Sequence, residues 1–262
     1  MVHRASVLAC LIFGLSIATF AASLQTGFLN RSINVDGKAY RYVVYVPSNW
    51  TTDQKWPVIL FLHGAGERGS DGLKQSQVGI GGAVRLHSER YPFVIVMPQC
   101  PEGQWWSQPA MQKLALATLE TEMQEFNGDT RRVYLTGLSM GGYGTWAIAE
   151  SNPTKFAAIA PVCGGVSISE RLAKLTGLPE THDDNIFSEA AQKVRTIPVW
   201  IYHGGADATV PVSESQNMTK ALRNLGADVS YTEYPGVGHN SWDNAYGDAD
   251  FPQWLLGQEL KQ

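Results

Sequence analysis

The stretch Tyr134-Leu135-Thr136-Gly137-Leu138-Ser139-Met140-Gly141-Gly142 decides the fold that we predict for this chain. Residues Val133 to Thr136 are β-branched, aromatic or aliphatic, and this pattern predicts a buried strand. The pattern Gly137-x-Ser139-x-Gly141 predicts a sharp turn, and residues Tyr143 to Glu150 predict a helix that stops at Asn152-Pro153. A strand, this turn and a helix in that order are the context in which G-x-S-x-G presents a nucleophilic serine.

The residue types around Ser139 follow from the geometry of such a turn. A serine at the apex of so tight a turn has a strained backbone, so Gly137 and Gly141 must be nearly free of side chain. We expect Ser139 to lie above the sheet, at the positive end of the helix that follows. The alternative is a glycine-rich turn with an incidental serine, and the partner residues of Ser139 decide between the two.

Length and charge limit the classes of protein that fit. The chain has 262 residues, of which 44% are hydrophobic, and this suits one large α/β domain with a sizeable core. The formal net charge is −4 and no block of basic residues occurs, so nothing indicates nucleic acid or an anionic membrane surface as a partner.

The first 23 residues have the pattern of a signal peptide. His3 and Arg4 form a short positive region, residues 5–20 carry no charge, and residues 21–23 are small enough for cleavage. We therefore expect a secreted or periplasmic protein with no membrane contact after the signal is removed, and a single catalytic domain over residues 24–262.

The rest of the chain alternates predicted strands and helices. Asp36-Gly37 between two alternating runs predicts a hairpin at one edge of the sheet. Further strands are predicted at Val58–Leu62, Phe93–Met97, Phe156–Val162, Ile197–Tyr202 and Val229–Tyr234. This alternation predicts an α/β fold with a mostly parallel sheet and helices on both faces. Residues 166–195 are too few and too polar for a large lid.

Beyond the predicted signal peptide the chain has two cysteines, Cys100 and Cys163. The predicted topology places them at the ends of strands that are separated by two others. At about 4.8 Å per strand the gap is roughly 14 Å, whereas a disulfide needs Cα atoms within about 7 Å. We predict two free, mostly buried thiols.

A nucleophilic serine needs a base, and the base needs an acid that holds its tautomer. In a parallel sheet such groups converge at the carboxyl ends of strands. His239 follows the last predicted strand on a glycine-bearing loop, and Asp207 follows the strand before it. Asp243 lies four residues past His239 on the same loop, which is a poorer place from which to orient the imidazole. We therefore predict the triad Ser139, Asp207 and His239.

The predicted oxyanion hole uses two backbone N–H groups. One belongs to Met140, the residue after the nucleophile. The second should come from the loop His63-Gly64-Ala65-Gly66 after the Val58–Leu62 strand, and we choose Ala65 with Gly66 as the next candidate. Small side chains there let the substrate carbonyl approach the backbone closely.

Two other histidines, His63 and His203, end predicted strands but lead straight into glycine, so we expect them to hold turns through hydrogen bonds. No cluster of His, Cys and Asp has the spacing of metal ligands, and we predict no metal site. Glu67 and Arg68 are expected to pair and brace the oxyanion loop, with substrate contact as the alternative.

Three tryptophans, Trp105, Trp106 and Trp242, are predicted on loops at the catalytic end of the sheet. Their rings could stack on an aromatic acyl group or a sugar, so we take them as candidate substrate contacts. Packing in the core is the alternative role for each of them.

Six motifs together resemble secreted α/β-hydrolase esterases, in particular the group described as predicted peptidases, polyhydroxybutyrate-depolymerase-like and feruloyl-esterase-like proteins. They are LHGAGERGSDG (62–72), PQCPEG (98–103) with WW (105–106), GLSMGGYGTW (137–146), PVCGG (161–165), HGGADATVPV (203–212) and EYPGVGHNSWDNAY (233–246). The resemblance covers nearly all of the chain from about residue 28. It implies an eight-stranded type of sheet, a Ser-Asp-His triad and no cofactor.

These observations predict a monomeric or weakly oligomeric serine esterase acting on a small-molecule or polysaccharide-linked ester. Feruloyl or acetyl groups on plant polysaccharide fit an exported enzyme with tryptophans near an open site. Two alternatives of the same fold are a serine peptidase and a general short-chain carboxylesterase. A third is an inactive hydrolase fold that serves as a binding module.

Overall fold

The computed structural model of the chain describes residues 25–181, 183 and 185–260. The predicted signal peptide, residues 1–23, lies outside the described residues. Eight strands in the described part form one sheet: β1 (Gly27–Val35), β2 (Lys38–Val46), β3 (Trp56–Leu62), β4 (Val94–Pro98), β5 (Gly128–Leu138), β6 (Ala158–Val162), β7 (Val199–Gly204) and β8 (Val229–Tyr234).

Eight α-helices connect or follow these strands within the described part of the chain. They are α1 (Ile80–Leu86), α2 (Pro109–Glu125), α3 (Met140–Ser151), α4 (Glu170–Thr176), α5 (Ile186–Val194), α6 (Ser213–Asn224), α7 (Trp242–Gly247) and α8 (Asp250–Leu256). Short 3₁₀ helices lie at Ala65–Glu67, Lys74–Ser76 and Ser88–Arg90.

The predicted edge hairpin is confirmed. β1 pairs with β2 in antiparallel fashion from Gly27 opposite Val46 to Val35 opposite Lys38. Asp36 and the glycine after it have positive φ angles of 52° and 78°, which is the backbone of a type I′ turn. The strand order β1-β2-β4-β3-β5-β6-β7-β8 places β1 at the edge of the sheet.

In their spatial order β4-β3-β5-β6-β7-β8, neighbouring strands pair in parallel fashion. β2 pairs with β4 in antiparallel fashion and so connects the hairpin to this parallel part of the sheet. The chain moves outward from β3 to β4 and then returns to place β5 on the other side of β3. Such a reversal opens a crevice at the carboxyl ends of β3 and β5, where open α/β sheets bind their ligands. The loops after β3 and β5 are the two that the sequence analysis assigned to the oxyanion hole and the nucleophile.

The sheet is covered on both faces, as predicted. Successive residues of β3 point to opposite sides, so Val58, Leu60 and Leu62 belong to one core cluster and Ile59 and Phe61 to the other. The first cluster is closed by apolar residues of α2, α3, α5 and α6, and the second by those of α1, α7 and α8.

In its described part, the segment 166–195 forms the short helices α4 and α5 and no large lid. Cys100 and Cys163 are both buried and both free, which confirms the prediction for the two thiols. None of the helices in the described residues is long and apolar enough to cross a membrane.

Candidate active site

Ser139 occupies the turn between β5 and α3 with φ 52° and ψ −116°. This region of backbone space is rarely used by a residue with a side chain, and such a conformation costs about 1–3 kcal/mol. The flanking glycines make room for the turn. A Cβ on Gly141 would lie 1.9 Å from the carbonyl oxygen of Leu62, and one on Gly137 would lie 2.4 Å from the carbonyl oxygen of Gly141. Any larger residue at either position would push the turn apart.

The strand and the helix around this turn are longer than the sequence predicted. β5 runs over Gly128–Leu138 rather than four residues, and α3 begins at Met140 rather than at Tyr143. Gly141 and Gly142, which the sequence placed in the turn before the helix, lie in the first turn of α3. The N–H groups of Gly142 and Tyr143 both donate to the Ser139 carbonyl there. Glycine is needed there for packing, since a Cβ on Gly142 would lie 2.8 Å from the Cα of Gly164.

The structure brings Ser139, His239 and Asp207 together from the loops after β5, β8 and β7. His239 Nε2 lies 2.8 Å from Ser139 Oγ, and His239 Nδ1 lies 2.6 Å from Asp207 Oδ2. A carboxylate accepts hydrogen bonds only, so the partners assign the proton to Nδ1. Nε2 is then free to accept the hydrogen bond of the serine hydroxyl. This is the arrangement that a general base requires.

Four hydrogen bonds surround the carboxylate of Asp207, whose side chain has no exposed surface. Oδ1 accepts from the backbone N–H groups of Thr209 at 2.8 Å and Val210 at 2.9 Å. Oδ2 accepts from His239 and also lies 3.2 Å from Nε2 of His203. Burial by itself raises the pKa of Asp207, but the hydrogen bonds from the two histidines and the two N–H groups outweigh it and hold this pKa well below its usual range. Asp207 therefore stays ionised throughout the neutral pH range.

The acid and the base reach each other because their loops are joined by backbone contacts. Ala206 N–H donates to the carbonyl of Val237 over 2.9 Å. A Cβ on Gly204 would lie 2.2 Å from the carbonyl oxygen of Gly238. Gly204, the last residue of β7, is thus required for the close approach of the two loops, which carries Asp207 to the imidazole.

The two N–H groups predicted for the oxyanion hole belong to Met140, the residue after Ser139, and to Ala65, which follows Gly64. Ala65 begins a 3₁₀ helix and Met140 begins α3, so neither N–H has an acceptor within its own helix. Neither donates to any other acceptor among the described residues. A Cβ placed on Gly64 would lie 3.7 Å from the Cβ of Ser139, which shows how closely this loop approaches the serine. Both N–H groups therefore remain candidates for binding a developing negative charge.

His63 holds the oxyanion loop, as predicted. Its Nδ1 lies 2.6 Å from the carbonyl of Gly64, and its Nε2 accepts the N–H of Cys100 at 2.9 Å. Burial lowers the pKa of His63 to about 4, so the imidazole is neutral and can accept that hydrogen bond. The carbonyl of His63 in turn accepts the indole N–H of Trp106 over 3.0 Å.

The three candidate tryptophans have different environments. Trp106 is fully buried beneath the loop that His63 closes, so the predicted substrate contact is wrong for this ring. Trp105 keeps 6% of its surface, and the guanidinium carbon of Arg68 lies 5.8 Å from its ring centroid. Trp242 is half-buried and packs edge-on against His239 with the ring centroids 5.5 Å apart. Trp242 is therefore the tryptophan in contact with the triad.

The bracing of the oxyanion loop differs from the predicted Glu67–Arg68 pair. Arg68 Nε donates to the carbonyl of Ala65 over 3.0 Å, and no ion pair joins it to Glu67 among the described residues. Burial raises the pKa of the Glu67 carboxyl. Gln99 also braces this loop, although the sequence pattern did not single it out: it is buried, and its side chain donates to the carbonyl of Glu67 and accepts the N–H of Gly72. Its position directly after β4 was the available signal.

One group of three potential metal ligands occurs in the described part of the chain, and it overlaps the triad. Atoms of Cys163, Asp207 and His239 lie within 4.8 Å of one another, because the topology brings together three loops that are distant in sequence. Asp207 and His239 already hydrogen-bond each other. Burial raises the pKa of the Cys163 thiol well above its ordinary value, which opposes the thiolate that a metal would need. The geometry fits an acid–base pair better than a metal site.

Known proteins are similar to this chain in sequence or in structure. An uncharacterised secreted protein of Arthroderma benhamiae is 26% identical over 223 residues, which are 75% of this chain and 22% of that protein. The bifunctional acetylxylan esterase/xylanase XynS20E of Neocallimastix patriciarum is 28% identical over 183 residues, 69% of this chain and 23% of that protein. The chain thus spans less than a quarter of the length of these two relatives.

The crystal structure of a thermostable esterase matches with a TM-score of 0.72 and 31% identity, over 88% of this chain and 63% of that chain. The predicted α/β-hydrolase fold and the resemblance to its esterases are thereby confirmed. A sequence model of the prolyl oligopeptidase family, peptidase S9, matches residues 115–255, a range that includes Ser139, Asp207 and His239. Because this match spans more than half of the residues, the chain belongs to the prolyl oligopeptidase family.

Proposed function

We propose that this chain is a serine hydrolase that cleaves carboxylic esters through an acyl-enzyme. The observation that carries the proposal is the continuous hydrogen-bonded path from Ser139 through His239 to Asp207, with distances of 2.8 Å and 2.6 Å. A serine in this state has a base within reach and an acid that fixes the tautomer of the base. A glycine would form the turn at position 139 with less strain than a serine. The presence of a serine there therefore supports a chemical role for its hydroxyl.

Each step of ester hydrolysis then has a residue of the site to carry it. His239 Nε2 takes the hydroxyl proton while Ser139 Oγ bonds to the ester carbonyl carbon. The N–H groups of Met140 and Ala65 bind the resulting oxyanion, and loss of one such donor costs about 3 kcal/mol in the transition state. Asp207 stabilises the imidazolium, which then gives its proton to the leaving alcohol. Water, activated by the same imidazole, cleaves the acyl-enzyme and restores Ser139.

The proposed substrate class is an ester of an acetyl or feruloyl group on plant polysaccharide, met outside the cell. The relative from Neocallimastix patriciarum carries an acetylxylan esterase name, and the relative from Arthroderma benhamiae is described as secreted. Trp242, half-buried beside His239, offers a ring on which an aromatic acyl group or a sugar can stack. The short helices of segment 166–195 leave no large apolar lid of the kind expected for a lipase in the described residues.

The central test compares Ser139→Ala, just before α3, with a matched control at the end of that helix, Ser151→Ala, whose exposed hydroxyl donates to the carbonyl of Ala147. We expect Ser139→Ala to lose hydrolysis of p-nitrophenyl acetate by roughly 10⁶-fold, and the control to keep wild-type rates. Methyl ferulate, acetylated xylan, tributyrin and a long-chain triglyceride then define the substrate. Preference for the long-chain triglyceride would refute the polysaccharide assignment, and activity that survives in Ser139→Ala would refute the whole mechanism.

Peptide hydrolysis is the second candidate, and the name of the prolyl oligopeptidase family is what favours it. An amide uses the same nucleophile but needs stronger protonation of its leaving group. A panel of short peptides, assayed beside the esters at equal enzyme concentration, separates the two. Faster cleavage of any peptide than of every ester would replace the esterase proposal. A third alternative, an inactive hydrolase fold that serves as a binding module, would hydrolyse neither esters nor peptides and would not react with a fluorophosphonate probe.

A further inference from the structure

A second imidazole lies behind the triad. His203, the residue that precedes the last position of β7, is fully buried, and its Nε2 lies 3.2 Å from Asp207 Oδ2. The same nitrogen lies 3.1 Å from the carbonyl oxygen of Val210, and Nδ1 lies 2.7 Å from Ser215 Oγ in α6. Asp207 Oδ2 is therefore shared by two histidines, His239 at 2.6 Å and His203 at the longer distance.

The partners of His203 determine where its proton lies. Nε2 faces a carboxylate oxygen and a carbonyl oxygen, both of which only accept, so this nitrogen must carry the hydrogen. Nδ1 then accepts the hydroxyl proton of Ser215. In this tautomer both ring nitrogens of His203 form hydrogen bonds that their partners allow: Nε2–H faces Asp207 Oδ2 and the Val210 carbonyl, and Nδ1 accepts from Ser215. Hydrogen bonds thus run from Ser215 through His203 to Asp207, and from Asp207 through His239 to Ser139.

The two oxygens of Asp207 are held in different ways. The N–H groups of Thr209 and Val210 fix Oδ1 from the backbone of the same loop. Apart from His239, the donor on Oδ2 is the imidazole of His203. His203 stands on a strand and cannot follow a movement of the loop, so it ties the acid to the rigid sheet.

We propose that His203 is a positioning residue that fixes Oδ2 of Asp207 and weakens the interaction of this oxygen with the His239 imidazolium. The inference rests on the proposed serine hydrolase function. Donation by His203 Nε2–H draws electron density from Oδ2, so the carboxylate stabilises the His239 imidazolium less than a carboxylate without this donor would. His203 acts through Asp207 and touches neither Ser139 nor a substrate.

Other titratable groups face this cluster from the surrounding elements. Cys163 after β6 and Tyr143 in α3 both lie near Asp207, and burial raises the pKa of each well above its ordinary value. Glu214 in α6 lies near Tyr143, and Glu233 in β8 lies near His203. The hydrogen bonds of Glu233 with Tyr231 and Gln216 lower its pKa. Cys163 and Tyr143 therefore stay neutral, and Glu233 stays ionised, around neutral pH.

The experiment replaces His203 and follows the pH dependence of Ser139 reactivity. His203→Phe keeps a ring and removes the donor, whereas His203→Gln keeps an amide N–H that can reach Oδ2. We expect His203→Phe to lower kcat roughly 10-fold or more with KM little changed. We also expect it to move the acid limb of kcat/KM to higher pH by roughly half a unit to one unit. His203→Gln should restore both toward wild type.

A core variant separates positioning from general destabilisation. Leu222→Ala empties a buried site in α6, the helix that carries Ser215, and should lower the melting temperature without moving the acid limb. An acid limb that stays in place in His203→Phe would overturn the inference. So would long-range ¹H–¹⁵N NMR spectra of the wild-type protein that place the His203 proton on Nδ1, and this measurement needs no variant to fold.

The rate of Ser139 labelling by a fluorophosphonate across pH gives the same acid limb without any ester substrate. Wild-type protein that neither labels nor turns over would reject the proposed function itself. Wild-type protein that labels, with a pH profile identical to that of His203→Phe, would reject only the role of His203. The two failures are therefore distinct.

Discussion

The strained backbone at Ser139 leads to a prediction about stability that is independent of substrate. Its φ of 52° and ψ of −116° suit glycine but not a residue with a Cβ, at a cost of about 1–3 kcal/mol. Ser139→Gly removes this strain, and Ser139→Ala keeps it. Glycine also gives the unfolded chain more freedom, which costs about 0.5–1 kcal/mol. The difference leaves Ser139→Gly more stable than Ser139→Ala by about 1 kcal/mol, or about 2–4 °C in melting temperature for a chain of this size.

The pair is well matched because both substitutions remove the hydroxyl and its hydrogen bond to His239. Both should be inactive toward p-nitrophenyl acetate, so the comparison isolates the Cβ. Urea unfolding followed by fluorescence and circular dichroism gives the two free energies of unfolding, and thermal melts give the temperatures. If Ser139→Ala proves as stable as Ser139→Gly or more so, the turn is not strained and the argument from strain to function fails.

Three further outcomes follow from the same site. Gly141→Ala places a Cβ 1.9 Å from the Leu62 carbonyl oxygen and should cost about 3 kcal/mol or more in urea unfolding; a loss below about 1 kcal/mol would contradict the packing. The pKa of His63 is lowered to about 4, whereas an unfolded histidine titrates near about 6.5. The unfolded state therefore binds the proton first, and stability should fall by about 3 kcal/mol as the pH drops from about 6.5 to about 4. Urea unfolding should show a weaker pH dependence in His63→Gln, and an equal one would refute the assignment. Trp242→Ala should raise KM for methyl ferulate, whereas Trp106→Phe should lower the melting temperature with KM unchanged; the reverse pattern would exchange their roles.

The framework of the site could be predicted because it depends on short-range patterns. A strand followed by G-x-S-x-G and a helix has few other structural uses, and the rule that ligands bind at the carboxyl ends of parallel strands selected Asp207 and His239 from many acids and histidines. The hairpin at Asp36-Gly37 was equally local, since two successive positive φ angles require such residues.

The predictions that were wrong concern residues whose role depends on contacts between loops that are distant in sequence. Trp106 is next to Trp105 in sequence, yet it lies under the oxyanion loop and donates to the His63 carbonyl. Nothing local distinguishes a ring that points into a crevice from one that points beneath it. The first turn of α3 was missed for a similar reason, because Gly142 is required by its contact with Gly164 on another loop.

His203 combines a role that is predictable from the local sequence with a contact that only the folded structure shows. Leading into glycine at a strand end, it was predicted to be a turn residue, and its hydrogen bond to the Val210 carbonyl is of that kind. The same Nε2 also reaches Asp207 four residues later, because the chain turns back over the end of β7. A histidine that closes the loop of the acid thereby orients the acid, and no separate residue is needed for each task. On this view the spacing of His203 and Asp207 is set by the loop, and inserting one glycine between them should disturb the pH profile of labelling as much as His203→Phe does. An insertion that left the profile intact would show that Asp207 is positioned by Thr209 and Val210 alone.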